Sequence, residues 1–149
     1  MTKIRLTKEF DFEMAHSLLN YDGLCKHIHG HSYKLAVTVI AEPNWDKNSP
    51  KRGMVMDFGD LKRIVNRLIC DPLDHAFVIN KETPEDWYTD NNQLFGRIVK
   101  VDYQPTCENM VIDFAERIKK ELPEGVELFS VKLHETATSF AEWYLEDNG

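Results

Sequence analysis

No run of apolar residues in this chain approaches the roughly 20 needed to cross a bilayer, which excludes a spanning helix of ordinary length. Met1-Thr2-Lys3-Ile4-Arg5 opens without the apolar core of a secretory signal, so the expected compartment is the cytoplasm. Cysteine is scarce: Cys25, Cys70 and Cys107 form an odd, widely spaced set. That pattern argues against a disulfide framework and for reduced thiols. An excess of positive charge is missing too. The formal net charge of −7 disfavours a dedicated nucleic-acid or anionic-membrane surface. It still admits an anionic small substrate, which needs only a local basic patch. There is no low-complexity linker and no visible internal repeat. The 149 residues therefore read as one domain, 1–149, long enough to bury a core.

What the chain does concentrate is histidine. Three of its six histidines lie in the heptad Cys25-Lys26-His27-Ile28-His29-Gly30-His31. Imidazole and thiolate are the ligand types that Zn²⁺ prefers, and Gly30 lets the backbone come close to whatever its neighbours hold.

Periodicity places this cluster between strands. Ile4, Leu6, Phe10, Phe12 and Met14 fall at even positions, the period of a strand with one buried face. Asn20, Asp22, Gly23 and Gly30 mark a loop. Tyr33, Leu35, Val37 and Val39 alternate with their neighbours in a second strand. Pro43, Asn44, Asn48, Pro50 and Gly53 mark a hairpin-like connection. Asp57 then caps an amphipathic helix over 58–70, with Leu61, Ile64, Val65, Leu68 and Ile69 at helical spacing and Pro72 as its stop. Residues 80–104 read as a long surface excursion with a short strand near Arg97–Val101. Pro105-Thr106 opens a second helix whose expected inner face is Ile112, Ala115, Ile118 and Leu122, closed by Pro123 and Gly125. Two strands follow, Leu128–Glu135 and Phe140–Leu145. The order predicts an α+β domain, an antiparallel sheet carrying two helices on one face. Its open edges favour oligomerisation.

His29 and His31 lie two apart on a strand and so share a face. His16 continues the apolar even register of the first strand. Pairing of the two strands would make a three-histidine site with one open position, the form of a catalytic zinc; the alternative is that His16 is a satisfied core histidine. Cys25 is either a fourth ligand or a free thiol whose thiolate fraction a nearby cation raises. Asp74 can fix the tautomer of His75 if the chain turns there; otherwise the two form a helix-end pair. Thr106 and Glu108 suit an N-cap and first helical turn. Glu135, at a strand end, either accepts paired hydrogen bonds from a guanidine-like edge or is simply solvated.

Six pieces in this order resemble the 6-pyruvoyl-tetrahydropterin synthase / 6-carboxytetrahydropterin synthase family, from Phe10 to about Thr138. They are Phe12-Glu13-Met14-Ala15-His16, Cys25-x-x-x-His29-Gly30-His31, Met56-Asp57-Phe58, Leu73-Asp74-His75, Pro105-Thr106-Cys107-Glu108-Asn109 and His134-Glu135-Thr136. The resemblance implies a tunnelling fold (T-fold) whose subunit sheets join into an oligomeric β-barrel, usually a hexamer of two trimers with sites between subunits. It implies Zn²⁺ on His16, His29 and His31, and Cys25 as a proton-accepting thiol rather than a ligand. His75, supported by Asp74, resembles the second proton-transfer group. Glu135 resembles the pterin anchor and a member of the relay. Thr106, Cys107 and Glu108 resemble the segment that cups the pterin edge.

Spacing chooses the branch. Cys-x₃-His-Gly-His is similar to the bacterial carboxy synthases of queuosine (7-deazaguanine) biosynthesis; animal-type pyruvoyl synthases carry Cys-x₅-His-Gly-His, and a folate-linked branch has Glu in place of the cysteine. The implied reaction is zinc-dependent conversion of 7,8-dihydroneopterin triphosphate to 6-carboxytetrahydropterin, acetaldehyde and triphosphate. The alternatives are the pyruvoyl product and, from another class, a non-catalytic zinc- or pterin-binding protein. Lys26 and Arg52 are candidates for triphosphate contact. The chain departs from compact bacterial members in its longer 80–104 segment and in Cys107, where Ser or Thr is common.

Overall fold

The period-two pattern becomes two long paired strands. A computed structural model describes residues 1–89 and 92–149. Strand β1 (Ile4–His16) pairs antiparallel with β2 (His29–Ala41) along their whole length, from Ile4 opposite Ala41 to His16 opposite His29. Phe12, Met14, Tyr33, Leu35, Val37 and Val39 point into one core and are buried. The 42–56 connection closes as a hairpin, with Asn44 N–H on the Met54 carbonyl and Gly53 N–H on the Asn44 carbonyl. Strand β5 (Glu127–His134) adds to β2 and β6 (Phe140–Tyr144) adds to β5, both antiparallel.

On the other flank the sheet is mixed, which corrects the antiparallel expectation. Strand β3 (Ala76–Asn80) runs parallel to β1, and β4 (Arg97–Val101) runs parallel to β3. The full order is β4-β3-β1-β2-β5-β6. Parallel neighbours need crossover connections; the helical block after β2 and the 81–96 segment supply them. No strand was expected at 76–80, because its pattern does not alternate. Ala76 and Val78 join the main core, while Phe77 and Ile79 pack with Tyr88 in a second cluster. A strand buried on both faces reads as a continuous apolar run.

The first helical block runs past its expected stop. Asp57 accepts from Gly59 N–H and caps α1 (Phe58–Val65). A π-helical turn, Asn66–Cys70, follows, and then one further turn, α2 (Asp71–Leu73), in which Pro72 sits near the start. Proline removes one N–H from the continuous helical ladder there, and the Leu68 carbonyl four residues back accepts from Arg117 instead. Four residues, Asn92–Phe95, form α3 before β4. Thr106 caps α4 (Cys107–Lys119) by accepting from Asn109 N–H at 3.1 Å. The inner face of α4 is Met110, Val111, Phe114, Ala115 and Ile118; Ile112, expected there, is 52% exposed. A last short helix, α5 (Leu145–Asn148), ends the chain. The main core lies between α1, α4 and the even-numbered face of β1, and that face ends in His16.

Candidate active site

The register of β1 and β2 builds the centre of the site. His16 stands opposite His29, and His31, two residues on, shares their face. The ligand atoms of the three histidines all lie within 4.8 Å of one another. Two of the rings are held from behind. His16 Nδ1 lies 2.8 Å from the Pro105 carbonyl and His29 Nδ1 lies 2.7 Å from the His27 carbonyl. A carbonyl only accepts, so each Nδ1 donates and each Nε2 is left with its lone pair. Those two Nε2 atoms face each other at 3.0 Å. Two lone pairs that close repel unless a proton or a cation lies between them. His31 Nε2 is buried with no hydrogen-bond partner. Three imidazoles turned to one point, two of them with bare nitrogens fixed by backbone carbonyls, are a donor set suited to Zn²⁺.

Electrostatics favour the ligand form. Burial pushes the pKa of His16 down to about 4; the neighbouring His29 and His31 add to this and the Pro105 carbonyl opposes it. His31 is also lowered, again chiefly by burial, with Glu135 opposing. Neutral imidazoles bind cations without first losing a proton.

Glu135 lies just past β5, in a turn where Glu135 N–H and Thr136 N–H both reach the Ser139 carbonyl. Its Oε1 is 3.6 Å from both His16 Nε2 and His31 Nε2. Cys25 is exposed, in a 3₁₀ turn at Leu24–Lys26, and its carbonyl accepts from Leu18 N–H. Among the described residues the metal-competent group is His16, His29 and His31, without Cys25. The phenol of Tyr33, buried beside His31 at 5.5 Å between centroids, is raised above the ordinary tyrosine range by burial and then by Glu135, Cys107 and Cys25.

Thr106, Cys107 and Glu108 form the cap and first turn of α4. Thr106 Oγ1 is committed to the cap, and Glu108 is exposed. Cys107 is buried; its thiol donates to the Leu133 carbonyl at 3.2 Å, and burial pushes its pKa up to about 11. The Cys107 thiol therefore stays protonated and faces the core. This segment also carries the carbonyl of Pro105 that orients His16, so it is fastened directly to the histidine centre.

Asp74 and His75 stand elsewhere. The turn between them exists: His75 has φ +61, and its Nδ1 lies 3.1 Å from Asp74 Oδ1. His75 lines a cavity of about 410 Å³ with Glu13, Ala15, Ser32 and Phe77, the residues of the sheet face opposite the histidine side chains. The cavity touches His31, yet no hydrogen bond, ring contact or ion pair joins His75 to the trio among the described residues. Lys26 lines a separate aromatic cavity of about 640 Å³ with Tyr21, His27, Trp87 and Tyr88. Arg52 is not brought here. Its loop follows Ala41, the end of β2 remote from His29, roughly 40 Å away at the rise of an extended strand.

Sequence patterns had no means of pointing to the carbonyls of His27 and Pro105, since any residue supplies a carbonyl. Tyr33 was legible only as a core residue, through its period-two position.

A sequence model described as 6-pyruvoyl tetrahydropterin synthase matches residues 5–146. The 6-carboxy-5,6,7,8-tetrahydropterin synthase of Haemophilus influenzae is 38% identical over 141 residues, covering 93% of this chain and 97% of the relative. The protein of the same name from Aquifex aeolicus is 32% identical, covering 95% and 98%. Among solved structures, an uncharacterized protein from Wolinella succinogenes superposes with TM-score 0.76 at 24% identity, over 97% of this chain and 99% of the other. The 6-pyruvoyl tetrahydropterin synthase of Caenorhabditis elegans gives 0.68 at 23% identity, over 97% and 96%. The fold is thus that of these pterin synthases, and the chain belongs to the 6-pyruvoyl tetrahydropterin synthase family.

Proposed function

We propose that this protein is a 6-carboxy-5,6,7,8-tetrahydropterin synthase, a lyase that converts 7,8-dihydroneopterin triphosphate and one water to 6-carboxytetrahydropterin, acetaldehyde and triphosphate. The observation that carries this reading is the trio His16, His29 and His31, with two Nδ1 atoms tied to carbonyls and the Nε2 atoms turned to one point. The agreement in name of relatives at up to 38% identity supports the carboxy branch. The product would serve 7-deazaguanine (queuosine) biosynthesis.

The trio would hold zinc, which supplies Lewis-acid polarisation of the substrate's side-chain hydroxyls when bound. Cys25, exposed in the turn that leads into His29, takes a proton from the substrate side chain as thiolate. Glu135 accepts paired hydrogen bonds from the amino-pyrimidine edge of the pterin, with Thr106, Cys107 and Glu108 shaping the rim. His75, oriented by Asp74, moves the second proton. Its place on the other face of the sheet fits a site completed by a second copy of this chain, with the barrel-forming oligomer as the functional unit.

Incubating purified protein and Zn²⁺ with 7,8-dihydroneopterin triphosphate tests this reading. The expected products are acetaldehyde and the mass of 6-carboxytetrahydropterin. The pyruvoyl mass without acetaldehyde would make the protein the sister enzyme. Bound zinc with no turnover would make it a binding protein.

A further inference from the structure

We propose that Arg97 is a positioning residue for His75: its guanidinium, reaching from β4, pins the peptide that anchors the His75 backbone to β1 and so places its ring. The inference rests on the proton-transfer role given to His75 above. His75 has φ +61, a left-handed conformation that side chains with a Cβ rarely adopt and that persists where surrounding contacts over-determine it.

The relevant unit is the single peptide joining Asp74 to His75. Its N–H, on His75, donates to the Glu13 carbonyl at 2.6 Å. Its carbonyl, on Asp74, accepts from Arg97 Nη2, while Arg97 Nη1 donates to the Asp71 carbonyl at 3.0 Å. Both polar ends of one peptide plane are therefore held, one from β1 and one from β4. Asp74 has φ −63 and ψ 127. Flipping the peptide by about 180° would take ψ of Asp74 to about −53° and φ of His75 to about −119°, both ordinary for L-residues. The flip relieves the strain but turns the Asp74 carbonyl towards the Glu13 carbonyl, which drives the His75 backbone off β1 and moves its ring with it. Glu13 alone holds only the N–H end. The Asp74 carboxylate also accepts from Glu13 N–H at 2.9 Å, but that bond fixes the side chain rather than the peptide.

The two carbonyls that Arg97 takes lie at the end of a helical block, where carbonyls lack intrahelical partners and a cation is favoured. The fork is what matters. A lysine has the charge but not the fixed pair of donors.

Arg97→Ala and Arg97→Lys test the inference. Arg97→Ala is expected to lower kcat at least tenfold with KM within twofold and zinc content unchanged. Exchange of the His75 amide should quicken at least tenfold, while that of Val37 in the core stays as in the native protein. Guanidinium ion at sub-denaturing concentration should restore part of both losses, and Arg97→Lys should recover less than half of kcat. Native-like protection of the His75 amide in Arg97→Ala, or a lysine variant equal to native, would overturn the inference. His75→Ala keeps the two readings apart. Normal turnover in His75→Ala, with a loosened His75 amide in Arg97→Ala, sinks the catalytic role of His75 and leaves the positioning claim standing.

Discussion

Cys25 and His16 make opposite claims on the metal, and single substitutions separate them. His16 is 1% exposed, with one nitrogen on Pro105 and the other turned to its partner histidines. His16→Ala should empty the site of zinc and leave the Pro105 carbonyl unpaired in the core, a loss of about 2 kcal/mol. Metal analysis and urea unfolding read the two effects. Cys25→Ala should keep its zinc and lose turnover by roughly a hundredfold or more; loss of zinc in that variant would make Cys25 a ligand and end the scheme. Asp74 gives a pH signature. Its pKa is lowered, first by the Glu13 N–H and then by His75 and Arg97. A folded-state pKa below the unfolded one means that the stabilisation is present above the usual aspartate range and fades as pH falls through the lowered value. The gap in urea midpoint between native protein and Asp74→Asn should therefore be full at pH 6 and close towards pH 3. At this scale the sequence was informative where chemistry depends on side chains, as in His29-Gly30-His31 and Leu73-Asp74-His75. It was silent where a backbone carbonyl does the orienting.

Elements were legible where only one face is buried. The alternation of Phe10, Phe12 and Met14 and the helical spacing of Leu61, Val65 and Ile69 each mark a boundary between core and solvent, and both elements formed there. Strand β3 escaped notice because both its faces are covered, and the π-helical turn because nothing local encodes it. The end of that helical block is instead held from a distance. Pro72 brings no N–H to the carbonyls one turn back, and Arg117 of α4 donates to one of them, Leu68, at 2.9 Å. The same guanidinium makes a two-point pair with Asp113 at 3.0 and 2.7 Å, and Tyr103 donates to Asp113 in turn. The network is partly buried, so it is weakly screened, and its members depend on one another. Arg117→Ala should cost about 2 kcal/mol, seen as a lower urea midpoint with an unchanged slope. A cost within a few tenths would mean that water replaces the guanidinium at Leu68.

The whole molecule divides its chemistry between two faces of one sheet, and that division makes a prediction that a self-sufficient monomer would fail. The histidine trio, Glu135 and the α4 cap lie on the face covered by helices; His75, paired with Asp74, lines the cavity on the other. Ile28, Trp87 and Leu94 are exposed apolar side chains lining the two cavities, and Leu24 is exposed in the Cys25 turn, the kind of surface that marks an interaction face. If each site takes Cys25 from one chain and His75 from another, then Cys25→Ala and His75→Ala damage different halves. Each variant alone should be inactive. Mixed in equal amounts, unfolded and refolded together, they should regain about a quarter of native activity, because random pairing of two halves in a symmetric assembly leaves that share of sites with both intact. Light scattering on the same samples reports the size of the assembly, with a hexamer expected. No recovery from mixed oligomers of native size would place both residues of a site in one chain, and His75 would then have to reach the trio around the strand past His31.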